Sequence, residues 1–154
     1  PQRELRGAGV VCEGAVLVRG AGLKRVLGED AMTQRFFIPG VLPGLNEIID
    51  AAKKRRGNWS AYADMKESYG EYIATIIRKA KLHPVQRANI SFTWCEQSQR
   101  RDKDNIRMAA KFVLDALVAT KILPNDGWKQ IGTLSDTFEV DGSKPGVYVE
   151  LTEL

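Results

Sequence analysis

The chain has 154 residues, enough for one domain with one core, and its 44% hydrophobic and 27% charged content is ordinary for a globular protein. A formal charge of +4 permits a polyanionic partner without demanding one. No apolar run approaches the roughly 20 residues that cross a membrane, and no basic start followed by an apolar core marks a secretory signal, so a cytoplasmic location is expected. Cys12 and Cys95 lie far apart without CxxC partners, which argues against a disulfide framework and a zinc site.

Residues 1–31 are rich in Gly and Val with no helix-period stripe, and residues 10–18 have strand character weakened by Gly14. They read as a leader or upstream extension, with an extra hairpin as the alternative. The functional domain is expected over residues 32–154. Arg35-Phe36-Phe37-Ile38 predicts a short strand stopped by Pro39-Gly40. A helix follows over residues 47–54, ended by Gly57-Asn58. Ser60 is placed to cap a long helix over residues 61–82, where Tyr62, Met65, Tyr69, Tyr72, Ile73, Ile76, Ile77 and Ala80 recur at helical spacing. His83-Pro84 ends it, and His83, the only histidine, leaves little for histidine-based acid–base chemistry or a multi-His metal site.

Residues 89–95 alternate, with Ile90, Phe92 and Trp94 facing one way and Asn89, Ser91 and Thr93 the other, which predicts a half-buried strand. A polar loop over residues 96–101 leads to a second helix at residues 104–120, with Ile106, Ala109, Ala110, Val113, Ala116 and Leu117 as its buried stripe. Pro124-Asn125-Asp126-Gly127 is a turn cluster. Residues 129–151 read as two strands forming a hairpin with a wide loop. The fold class expected is α/β (α+β): a single domain with a small mixed sheet packed with helices.

Asp102 and Asp104 stand where a loop bends into a helix, and Asp126 lies in the turn after that helix. Entry and exit of a straight helix of this length lie about 25 Å apart, so Asp126 joins the pair only if its loop folds back or a second subunit supplies it. Such carboxylates suit Mg²⁺, which takes one or two of them with water and substrate phosphate. Mn²⁺ is the alternative ion. In phosphodiester hydrolysis the metal readies a water nucleophile and stabilises the leaving oxygen. Arg100 and Arg101 are placed to hold a phosphate. Lys111 stands two turns after Asp104 with Arg107 between, a position from which it can stabilise charge at phosphorus. The plainer alternatives are that the aspartates cap a helix and that Lys111 pairs with Asp115 four residues on. Further basic residues gather in Lys53-Lys54-Arg55-Arg56 and in Arg78, Lys79 and Lys81. Each such run is ordinarily a solvated face, but three on a small domain tip the balance toward phosphate contact.

Arg101-Asp102-Lys103-Asp104-Asn105 resembles the R-D-x-D-N signature of the RusA family of Holliday-junction resolvases. Leu114-Asp115-Ala116-Leu117 resembles the L-D-A-L that follows it, and Ile122-Leu123-Pro124-Asn125-Asp126 the segment ending in a third aspartate. Leu42-Pro43-Gly44-Leu45-Asn46 is similar to the family's N-terminal proline and asparagine motif. The resemblance covers residues 33–154. It implies a homodimeric, Mg²⁺-dependent endonuclease, typically phage- or prophage-encoded, that resolves four-way junctions by paired symmetric nicks in DNA recombination and repair. The catalytic and metal-binding aspartates it implies are Asp102, Asp104 and Asp126.

The family lysine stands four residues after the second aspartate, where this chain has Met108. The spacing from Lys111 to Asp115 matches the family, so Lys111 takes the lysine's part after an extra turn of about three residues, with Arg107 as its substitute. DNA contacts are expected from Arg100, Arg101, Arg107, Lys53, Lys54, Arg55, Arg56 and Asn46. Two other readings remain: a DNA- or junction-binding protein of the same fold weakened in catalysis by Met108, and a regulatory or interaction domain whose aspartates only cap.

Overall fold

The computed structural model describes residues 31–154. The leader expected over residues 1–31, with its strand at residues 10–18, lies outside the described residues but for Ala31. A four-stranded sheet carries all the helices on one face, which makes a two-layer α+β sandwich. In chain order the elements are β1 (Thr33–Pro39), α1 (Leu45–Lys53), β2 (Arg55–Arg56), β3 (Trp59–Ser60), α2 (Ala61–Ala80), β4 (Ala88–Glu96), α3 (Lys103–Arg107), α4 (Ala110–Ala119), β5 (Ile131–Val140) and β6 (Gly146–Glu153).

The main sheet runs β1-β6-β4-β5, with β4 parallel to β5 and the other pairs antiparallel. The alternation in β4 explains its central place. Ile90, Phe92 and Trp94 are fully buried beneath the helices, while Asn89, Ser91 and Thr93 are half-buried on the outer face. Phe36 and Ile38 from β1 and Val147, Val149 and Leu151 from β6 continue the inner face. Ile73 and Ile77 from α2 and Phe112, Val113 and Leu117 from α4 cover it. Gln34 is the buried polar residue of the core among the described residues, satisfied on both sides: its Nε2 donates to the His83 carbonyl at 2.9 Å and its Oε1 accepts from the His83 amide at 2.6 Å. His83 thus serves the fold through its backbone.

The hairpin expected over residues 129–151 does not form. β5 and β6 lie on opposite sides of β4, and residues 141–145 step across its end, where the Asp141 amide donates to the Glu96 carbonyl at 2.9 Å. The most apolar strand takes the centre, and the polar β5 goes to the edge. A parallel β4–β5 pair then needs a crossover connection, which α3 and α4 supply.

Two further elements differ from expectation. The helix expected over residues 104–120 is broken at Met108 and Ala109, where Ala109, Lys111 and Phe112 donate to carbonyls three residues back rather than four. Ile106 and Ala109 stay buried with Phe112 and Val113 across this tighter winding. Gly57-Asn58, expected as a helix end, is instead the turn of a small hairpin, with Arg55 paired to Ser60 and Arg56 to Trp59. Gly57 has a φ of +59°, which its missing Cβ permits. The long helix starts as expected, with Ser60 Oγ accepting from the Ala63 amide at 3.4 Å. It stops at Ala80 because Lys81 is left-handed, with a φ of 52°.

Candidate active site

The end of β4 and the loop after it build the acidic site. Glu96 continues the inward phase of Ile90, Phe92 and Trp94, so its carboxylate points where the core would be. Arg101 answers it with a two-pronged contact, Nε to Oε2 at 3.0 Å and Nη2 to Oε1 at 2.6 Å. The third arm of Arg101 donates to the Leu42 carbonyl at 2.9 Å. The guanidinium expected to bind phosphate therefore spends its donors on holding the loop before Asp102 against the segment before α1.

A second tie joins the same two segments. Asn105 Oδ1 accepts from the Asn46 amide at 3.0 Å, and Gly44 lies so close that a Cβ there would stand 2.6 Å from Asn105 Oδ1. Residues 42–46 and 101–105, far apart in the chain, are thus one structural unit. Gly44 belongs in it because backbone packs against backbone.

Asp102 occupies the position before α3, yet its side chain accepts no capping hydrogen bond. Asp104 accepts from the amide of Asn105 at 2.9 Å. Neither carboxylate has an ion-pair partner among the described residues. Both line an open cavity of about 520 Å³ with Glu96, Lys103, Phe138 and Glu139. Lys103 lies over the Phe138 ring, 5.6 Å from its centroid.

A second cluster forms beside it in the chain. Lys111 Nζ reaches Asp115 Oδ1 at 2.5 Å and Asp126 Oδ2 at 3.4 Å, and Lys66 Nζ stands 3.6 Å from Asp115 Oδ2. The loop after α4 folds back along the helix, so Asp126 meets a residue of its first turn within one chain. Of the alternatives for Lys111, the Lys111–Asp115 pair is made. Its hydrogen bond to Asp115 holds the Lys111 ammonium above the ordinary lysine pKa of 10.5, with burial working the other way and Asp126 adding to the rise. Lys111 is therefore a fixed cation at neutral pH.

Arg107 does not join either acidic pair. Its Nη2 lies 3.0 Å from Asp136 Oδ2, and Asp136 Oδ1 accepts from Trp94 Nε1 at 2.8 Å. Glu96, Asp136 and Glu139 were not among the expected site residues. The phase of β4 marks Glu96 as a carboxylate in need of a partner, but Asp136 and Glu139 gain meaning only from the β4–β5 pairing. Of the remaining cations, Arg100, Lys53, Lys54, Arg55 and Arg56 are exposed, the last four on or beside the small hairpin.

The donor set fits Mg²⁺ in a limited form. Among the described residues no three His, Cys, Asp or Glu side chains are grouped to hold a metal ion. Two unpaired carboxylates with open space before them match the usual Mg²⁺ arrangement, in which water and phosphate oxygens complete the octahedron. Asp126 is not part of that pair while Lys111 holds it. No helix among the described residues is long and apolar enough to cross a membrane. No family model matches the chain, and no curated protein matches it; the resemblance to the RusA family rests on the motifs themselves.

Proposed function

We propose that the protein is a Mg²⁺-dependent endonuclease that cuts branched DNA, a Holliday-junction resolvase acting by paired nicks. The observation that carries this reading is the pair Asp102 and Asp104: two carboxylates on one open cavity without cation partners among the described residues, the first at a helix start that it does not cap. Simple capping would have used the Asp102 side chain. Packing of residues 42–46 against residues 101–105 adds support, because it joins two of the motifs on which the resemblance was drawn.

Asp102 and Asp104 would hold the ion, which when bound supplies an activated water and charge stabilisation at the leaving oxygen. Arg101 positions their loop through Glu96. Lys103, Arg100 and the hairpin cations offset the repulsion between carboxylates and DNA, and binding through them falls steeply with salt. Two opposed cuts call for two equivalent sites, which a two-fold homodimer provides.

One observation favours a weakened relative instead. Met108 stands at the family lysine's place, and Lys111 is engaged by Asp115 and Asp126. Cleavage of a labelled four-way junction with Mg²⁺ or EDTA, beside linear duplex of the same sequence, separates the two. Paired nicks on the junction alone, with metal alone, support the resolvase. Tight junction binding without cutting supports the binding protein.

A further inference from the structure

Trp128 is 98% exposed, although tryptophan is among the side chains that lose most by facing water. The fold does not use it, while Trp94 is 1% exposed at the centre of the core. Its backbone is firmly held. The Gly127 carbonyl accepts from the Gln130 and Ile131 amides, both at 3.0 Å, which closes a turn that runs straight into β5. The ring is therefore presented from a fixed turn, two residues after Asp126.

Lys129, adjacent to Trp128, is exposed and has no ion pair among the described residues. On the small hairpin, Trp59 is half exposed and paired across from the cation Arg56, with its Nε1 donating to Asp64 Oδ2 at 2.7 Å. An exposed aromatic ring beside an unpaired cation, Lys129, matches a nucleic acid, whose bases offer ring faces and whose phosphates offer negative charge. A fully stacked duplex hides those ring faces. An unpaired base at a branch point or in a single strand shows them.

We propose that Trp128 is the stacking platform for an unpaired base, and that it gives the protein its preference for branched over linear DNA. The inference rests on the functional reading above and names the device that selects the substrate. Its occupant is the base itself, with Lys129 on the adjoining phosphate.

The test is equilibrium binding of the full chain, in EDTA so that no cutting intervenes. The probes are a four-way junction with 2-aminopurine at the branch, a single strand and a linear duplex. Wild type is compared with Trp128→Ala and Trp128→Phe. Trp128→Ala is expected to bind junction and single strand about tenfold more weakly while duplex affinity stays unchanged, since one stacked base contributes on that scale. Trp128→Phe should keep most of the affinity and still perturb the 2-aminopurine fluorescence.

Equal loss on all three probes, or no loss, overturns the stacking role and leaves the endonuclease reading standing. A change in oligomeric state of Trp128→Ala in sedimentation overturns it in favour of a contact between copies. Failure of the wild type to bind any probe at low salt overturns both readings together.

Discussion

The chain holds two pairs of aspartates close together in sequence but opposite in electrostatic state. Asp102 and Asp104 face an open cavity with no cation on either among the described residues. Asp115 and Asp126 share Lys111, and Asp115 has Lys66 as well. The first pair stands at the start of α3; in the second, Asp115 is midway along α4 and Asp126 is in the loop after it. The second is neutralised by its own neighbours and contributes to structure, while the first leaves its charge to be balanced from outside. A divalent cation would balance it, so under the proposed function metal binding falls to the first pair and support to the second.

The sharpest way to break this contrast is Asp104→Asn. Loss of a ligand should cost more than the roughly 10–100-fold that follows loss of an outer partner. Cleavage of the four-way junction is therefore expected to fall by at least about a hundredfold, with junction binding retained. Unchanged cleavage would remove the metal site from this pair. Next in size is Arg101→Ala, which strands the largely buried Glu96 carboxylate. Breaking such a pair should cost about 3 kcal/mol, seen as a Tm lower by about 6–12 °C in a melt without metal.

Mg²⁺ itself gives a third, smaller effect. At ten times its Kd it should stabilise the wild type by about 1.4 kcal/mol. Asp102→Asn and Asp104→Asn should abolish that gain, and Asp126→Asn should keep it. If Asp126→Asn also removes it, the Lys111–Asp126 contact opens on metal binding and the two pairs are one site. Asp115→Asn should cost about 1 kcal/mol or less by chemical denaturation, since Lys66 and Lys111 are half exposed and solvent screens them.

The smallest effect is one of pH. The folded-state pKa of Lys111 is raised, so its stabilisation is fully present below the ordinary lysine value and fades only as pH rises through the folded value. Stability between pH 7 and 9 should show no slope from this group. Lys111→Met should flatten the alkaline loss in denaturation curves.

Much of the fold was legible because local pattern and burial agree in it. The alternation of Ile90, Phe92 and Trp94 and the helical stripe through Ile73 and Ile77 both mark residues that are buried. The hairpin at Arg55–Arg56 and Trp59–Ser60 was not legible, since two-residue strands carry no period. The break at Met108 was hidden because Ile106, Ala109, Ala110 and Val113 fit a continuous helix by spacing alone. At the site, Asp102, Asp104 and the Lys111–Asp115 pair were readable from position. The fork between Arg101 and Glu96 was readable in principle, because Glu96 keeps the phase of a buried strand face.

By itself the sequence determined the types of the longer elements, the inward faces and the acidic pair at a helix start, since these follow from spacing along one backbone. Only the tertiary structure decided that β5 pairs with β4 rather than β6, that Asp126 folds back to Lys111, and that Arg107 turns to Asp136. Strand order and charge partners depend on which surfaces meet when the core closes, and contacts between distant segments leave no period in the chain.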